Sequence, residues 1–331
     1  ELGTADRVLL FIGSLFAAVL LHELVEKPFR KRGTDTTIAQ RFALPTTLTL
    51  LVASVILAGT VWRLDGLSAR SDALIQQVVD SVAEEKRLRN RTMRYGQCNL
   101  HTKHSFSDYD VDVCATPVPG RKNVFVIGDS LASDVYIMLS SAWPEVHFLQ
   151  ATAGACTAVL DLSELGGRYT GCEQLNELRF SRAAGQDVDL VVLASVWGPE
   201  RVAPLAETVK YLRSQGKKVL VIGPRATFRV SLPLLLSQQA TLEDANQALQ
   251  ERVVKKDWLL TRMRAALPGI EVLDMGGIQC TPNCDVIEDG QLLYYDRMHL
   301  TVLGSRRMGE RLRESFDLPG FIDSPALGDT R

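Results

Sequence analysis

The 331-residue chain carries almost no net charge: 37 basic against 39 acidic side chains leave a formal charge of −2. That excludes the basic excess of a nucleic-acid-binding surface, so no nucleic acid partner is expected. Disorder is excluded as well, because hydrophobic residues reach 46% and charged residues 23%. No internal repeat or low-complexity segment occurs. No cysteine precedes Cys98, and the whole chain holds only five histidines. A disulfide-held miniprotein is ruled out by length, since the chain has room for about two domains of roughly 100–200 residues.

What is present is unevenly placed. Residues 8–21 form one apolar stretch, continuing past His22 and Glu23 to Leu24 and Val25, and residues 42–62 form a second without a charge. The second meets the roughly 20 residues needed to cross a hydrocarbon core; the first is barely long enough. Lys27, Arg30, Lys31, Arg32 and Arg41 lie between them. By the positive-inside rule that loop is cytoplasmic and everything after Trp62 extracytoplasmic, with membrane lipids as neighbours. The chain begins at Glu1 and not at Met, which reads as the C-terminal portion of a larger membrane protein. The expected organisation is one helix in 1–33, another in 34–64, a linker or extension over 65–118, a catalytic-type domain over 119–316 and a tail over 317–331.

Within the extension, Leu74, Ile75, Val78, Val79 and Val82 follow helical spacing and are trailed by a run of charges. This reads as an amphipathic connecting helix with a solvated charged face and no chemistry. Residues 95–120 read as loop that could form a compact extension onto the next domain. After Gly120, short apolar runs at 124–127, 146–149, 190–193, 219–222 and 270–273 alternate with helical patterns near 133–142, 201–215, 240–266 and 302–315. The fold class is α/β, a doubly wound parallel sheet covered on both faces.

The six cysteines, Cys98, Cys114, Cys156, Cys172, Cys280 and Cys284, all lie in the outer portion, as an oxidising compartment would permit. Sequence neighbours suggest three local bridges, although other pairings exist. No metal is expected. Cys280 and Cys284 lack the further ligands of a zinc site. Asp108, Asp110 and Asp112 start like a calcium loop, but Val113 replaces the turn glycine and Pro119 the bidentate glutamate.

Gly128, Asp129 and Ser130 directly follow the apolar run 124–127. A serine at the carboxyl end of a parallel strand, opening a helix, sits where backbone N–H groups and the helix dipole stabilise negative charge. The same tripeptide also serves as a plain turn and helix cap. A nucleophilic serine needs a base and a group to orient that base, and Asp296-x-x-His299 before the last helix supplies both. The other histidines are worse placed: His22 in an apolar stretch, His101 and His104 in the connecting region, His147 in a predicted strand.

These two blocks resemble those of the SGNH hydrolase family, over about residues 119–316. The resemblance implies a flavodoxin-like sheet and a triad of Ser130, Asp296 and His299. It further implies an oxyanion hole from the backbone N–H groups of Ser130 and Gly154. The family's third-block asparagine is missing, because the matching strand end reads Ala194-Ser-Val-Trp-Gly198. Trp197 is a candidate lining for the acyl or sugar site, with a packing role as an equal alternative. Val25-Glu-Lys-Pro-Phe-Arg30 after an apolar helix resembles the end of the membrane domain of acyltransferase family 3 proteins. Bacterial members of that family are often fused through one extra membrane helix and a linker to an extracytoplasmic SGNH domain. This second resemblance implies an inner-membrane, multi-pass protein with a periplasmic SGNH domain. It implies O-acetylation of a surface polysaccharide or lipid-linked glycan such as the O-antigen of lipopolysaccharide. The acetyl donor, acetyl-CoA, would act through the acyltransferase-3 domain of the same protein, with no cofactor bound by this portion. An esterase using the same triad and a catalytically silent glycan-binding module are the alternatives.

Overall fold

In the computed structural model of the chain, the described residues are 4–27, 37–63, 73–162, 170–237, 239, 241–280 and 283–325. They fall into two units, Glu1–Arg70 and Ser71–Arg331. The first holds α1 (Thr4–Leu21), a π-helical turn at His22–Glu26, and α2 (Thr37–Arg63). The turn is held by i,i+4 pairs, His22 with Glu26 at 3.1 Å and Lys27 with Glu23 at 2.6 Å. The Pro28, Phe29 and Arg30 part of the family-3 motif lies outside the described residues.

Among the described residues no helix is long and apolar enough to cross a membrane. The two expected spans are therefore not supplied by this structure. Asp6 and Arg7 stand inside α1, which leaves fewer uncharged residues than the roughly 20 a span needs. Arg41 and Pro45 fall in the first turns of α2, followed by Thr46, Thr47 and Thr49.

The second unit is built on a six-stranded, wholly parallel sheet. Its strands are β1 (Asn99–Leu100), β2 (Asn123–Gly128), β3 (His147–Ala153), β4 (Leu190–Ala194), β5 (Lys218–Ile222) and β6 (Glu271–Leu273). Their spatial order is β1-β3-β2-β4-β5-β6. β2 and β4 are apolar throughout because both faces are covered, and their side chains divide by the two-residue period. Phe125, Ile127, Val191 and Leu193 enter one core, with α5 (Cys172–Ala183), α6 (Val202–Ser214) and α7 (Asp257–Ala266). Val124, Val126, Leu190 and Val192 enter the other, with α4 (Ser130–Ala142) and α8 (Val302–Ser315).

Two elements differ from the sequence expectation, and a third answers a question the sequence left open. The run 240–266 is not one helix: Leu242–Gln250, capped by Thr241, stops before a short strand Val253–Val254, and α7 begins afresh at Asp257. That short strand pairs antiparallel with Thr227–Phe228. The segment 95–120 is not merely loop, because β1 pairs in parallel with β3, Asn99 opposite Thr152 and Leu100 opposite Ala153. The connecting helix, α3 (Ala73–Thr92), packs its Ile75 and Val78 against Leu236, Ala245 and Leu292. The extension is thus part of the folded unit and not a spacer.

Disulfides join Cys98 to Cys114, Cys156 to Cys172 and Cys280 to Cys284. The first closes 16 residues and pins β1 to the helical turn Val111–Cys114. Replacing Cys98 and Cys114 together by alanine is expected to lower the unfolding free energy by about 3 kcal/mol. Urea unfolding followed by tryptophan fluorescence measures this.

Candidate active site

Ligands of doubly wound sheets bind at the carboxyl ends of the strands where the order reverses, here around β2. The end of β2 closes tightly on β4. A Cβ on Gly128 would stand 1.7 Å from the Ala194 carbonyl oxygen, and the residue has φ +154°, so only glycine fits. Asp129 then caps α4. Its Oδ1 accepts the Leu131 N–H at 2.9 Å and its Oδ2 the Val196 N–H at 2.7 Å. One buried carboxylate therefore fixes the turn that carries Ser130 to the end of β4. Burial pushes the Asp129 carboxyl above its usual range, against the pull of those two N–H groups.

Ser130 opens α4, and its Oγ lies 2.8 Å from His299 Nε2. His299 Nδ1 lies 2.7 Å from Asp296 Oδ2. The loop that carries both residues is closed locally. Asp296 Oδ1 accepts the N–H groups of Met298 at 2.8 Å and His299 at 2.7 Å, and the Tyr295 N–H donates to the His299 carbonyl at 3.1 Å. A hairpin, Ile287–Glu288 with Gln291–Leu292, delivers the chain to this loop. Its Asp289 and Gly290 take φ +49° and +74°, the left-handed pair a two-residue hairpin turn requires. Burial raises the Asp296 carboxyl, but the hydrogen bond and charge of His299 and the two backbone N–H groups outweigh it. The carboxyl is held at about 2. It is ionised at neutral pH and orients the imidazole so that Nε2 faces the serine. Asp296→Asn is expected to keep the fold and lower turnover by about 10⁴-fold through loss of that orientation. Steady-state kinetics beside a thermal melt tests this.

The other expected site residues fare differently. The Ser130 N–H stands at a helix N-terminus without an intrahelical acceptor, as an oxyanion donor should. Gly154 does not serve as expected: its N–H donates to the Leu100 carbonyl at 2.9 Å, because the pairing of β1 with β3 runs on into this turn. Trp197 is a packing residue and not a substrate lining. It is 3% exposed in the core, and its indole N–H donates to the Ile222 carbonyl at 2.7 Å. At the place of the absent asparagine, Ser195 Oγ accepts the Ala158 N–H at 2.9 Å and the Val196 amide is held by Asp129. The turn after β3 instead places Ala155 at φ +59° on the surface.

Among the described residues no group of three or more His, Cys, Asp or Glu is placed to hold a metal. Asp110 and Asp108 act as local caps, Asp110 accepting the Val113 N–H at 3.1 Å and Asp108 the Ser105 N–H at 2.8 Å.

Sequence reasoning missed a buried ionic cluster behind the serine. Asp134 is flanked by Arg89 and Arg225, none of the three more than 3% exposed. Asp134 could have been suspected, since it lies four residues after Ser130 on the same helix face. Asn99 is a second omission. Its side-chain oxygen accepts from Ser133 at 2.8 Å and Thr152 at 2.9 Å, joining β1 to α4 and β3.

A doubly wound parallel sheet, with Ser130 after β2 and Asp296 and His299 before the last long helix, defines an SGNH-type domain. Residues 97–314 match the family described as "SGNH domain (fused to AT3 domains)", and the chain belongs to that family. Among solved structures, it is similar to the periplasmic domain of a lipopolysaccharide acetyltransferase from Salmonella ser. Paratyphi A. The two are 18% identical with a TM-score of 0.57, over 72% of this chain and 98% of that one. This likeness bears on the fold. A carbohydrate acetylesterase from Sinorhizobium meliloti, Est24, is 17% identical over 59% of this chain and 97% of its own, with a TM-score of only 0.31. No curated protein matches the chain.

Proposed function

We propose that this protein is an O-acyltransferase that moves acetyl groups onto a cell-surface polysaccharide through an acyl-serine intermediate. The observation that carries the reading is the continuous hydrogen-bonded line from Ser130 Oγ through His299 to Asp296, in a domain whose family is fused to AT3 domains. Ser130 Oγ attacks the acyl carbonyl while His299 Nε2 takes its proton. The Ser130 N–H donates to the oxyanion that forms. The intermediate collapses, the imidazolium returns its proton to the leaving group, and the acyl-serine remains. A sugar hydroxyl then gives its proton to the same Nε2 and attacks the ester carbonyl; the C–Oγ bond breaks, the imidazolium returns the proton to Ser130 Oγ, and the acetylated glycan leaves.

Several further observations support this reading. Three disulfides suit an oxidising, extracytoplasmic compartment. In the first unit Phe11, Phe16, Leu51, Ile56 and Leu57 are all more than half exposed, as lipid-facing side chains would be. Basic residues stand between the two apolar stretches, in the position of a cytoplasmic loop. On this reading the domain is periplasmic, and acetyl groups reach it from acetyl-CoA through an acyltransferase-3 membrane domain. The lipopolysaccharide acetyltransferase of similar fold makes an O-antigen sugar a fitting acceptor.

The test compares the acetyl content of the surface glycan, by NMR, in cells carrying the wild-type chain or Ser130→Ala. A fall is expected. Unchanged acetylation would overturn the serine mechanism, and a rise would make the protein an esterase that removes the groups.

A further inference from the structure

The charged end of α3 lies before the matched segment 97–314 and reads in the sequence as a solvated face, yet Arg89 within it is 3% exposed. Its guanidinium touches several parts of the site. Nε and Nη2 donate to Asp134 Oδ1 at 2.9 and 2.5 Å, and Nη2 also donates to the Ser130 carbonyl at 3.2 Å. Nη1 faces Met93 Sδ at 3.0 Å. The guanidinium carbon lies 5.1 Å from the centre of the Tyr295 ring. That ring in turn stacks on His299, centroids 5.5 Å apart and planes 19° from parallel.

Asp134 extends the same cluster. Its Oδ2 accepts from Arg225 Nη1 at 2.7 Å and from the Leu300 N–H at 3.1 Å, next to the base. Arg225 also donates to the Leu131 carbonyl at 2.8 Å and the Met298 carbonyl at 3.3 Å. The nucleophile turn and the 296–300 loop come from distant parts of the chain and share no covalent constraint. Besides the Ser130–His299 contact, Arg89, Asp134 and Arg225 bridge them.

We infer that Arg89 is a positioning residue for the acyl-transfer centre, fixing Ser130 by its carbonyl and His299 through the Tyr295 ring, so that α3 is a working part of the site. This rests on the acyl-serine reading above. The chemistry needs arginine. A planar fork can grip a carboxylate, reach a carbonyl and lie over an aromatic ring at once, whereas a lysine ammonium is a single point donor. Loss of Arg89 leaves Asp134 paired with Arg225 and the Leu300 N–H, so the fold is expected to survive.

The experiment uses the full chain in detergent, with Arg89→Met, Arg89→Lys and Ser130→Ala beside wild type. It records kcat and KM for an aryl acetate, the rate at which a fluorophosphonate labels Ser130, and the thermal midpoint. Arg89→Met should lower kcat about 10- to 100-fold, the scale of a small misplacement of reacting groups. KM should stay within about twofold, labelling should slow in parallel, and a cooperative melt should remain. Arg89→Lys should recover the wild-type midpoint but not kcat. Wild-type kcat and labelling in Arg89→Met would overturn the inference. So would a loss of activity that only tracks the folded fraction, with labelling per folded molecule unchanged. Wild-type turnover in Ser130→Ala would instead remove the acyl-serine reading and this inference with it, an outcome the arginine variants alone cannot mimic.

Discussion

Replacing His299 by alanine should lower turnover by about 10⁶-fold, the scale of losing the base from a triad that acts as a unit. In such variants the residual rate comes from the oxyanion hole and from substrate binding. Here the hole is poorly furnished: the Gly154 N–H is bonded to Leu100, and the Ser195 and Val196 groups at the end of β4 are held inside the protein. His299→Ala should therefore fall to the background of uncatalysed transfer. The measurement is acyl transfer or aryl acetate hydrolysis by the full chain, with fluorophosphonate labelling as a second readout. Labelling must fall as well, because Ser130 Oγ loses the imidazole 2.8 Å away that takes its proton. A variant within about tenfold of wild type would show that His299 is not the base.

The residues proposed to carry this chemistry were legible, and found within hydrogen-bond reach of one another, because their signal is local. Apolar runs such as Val124 to Ile127 announce buried parallel strands, and the turn after them places Ser130 at a strand end. Asp296 and His299 are close enough in sequence for one loop to join them. What was not legible depends on distant partners. β1 is two residues long, too short for any period, and its place is set by pairing with β3 and by the Cys98–Cys114 bridge. That same pairing consumes the Gly154 amide, which no motif spacing reveals. Arg89 looks like one charge in a solvated run because its partner, Asp134, lies 45 residues further on. Trp197 lies at a strand end, where the sequence leaves substrate lining and packing open, and its indole turns inward to the Ile222 carbonyl.

The largest effect on stability is expected from Asp134. The side chain is fully buried, and two arginines, each 3% exposed, depend on it for neutralisation. A buried ion pair is weak evidence of net stabilisation, but removing one partner leaves the other's charge uncompensated in a low dielectric. Asp134→Ala leaves two such charges and should lower the unfolding free energy by about 3–5 kcal/mol at pH 7. Arg89→Met should lower it by less, since the carboxylate keeps Arg225. The pH dependence distinguishes this cause from a simple cavity. Burial pushes the Asp134 carboxyl up, but Arg89 and Arg225 outweigh it and hold the group below its ordinary value of 3.8. A depressed carboxylate contributes stability that is fully present above its unfolded value and is lost as pH falls through its folded one. The wild-type chain should therefore lose stability below about pH 4, and Asp134→Ala, weaker at pH 7, should lose less over the same interval. Urea unfolding at pH 7 and at successive steps below pH 4 provides both quantities. Parallel acid limbs in the two proteins would place the lost stability in packing and not in the charge of Asp134.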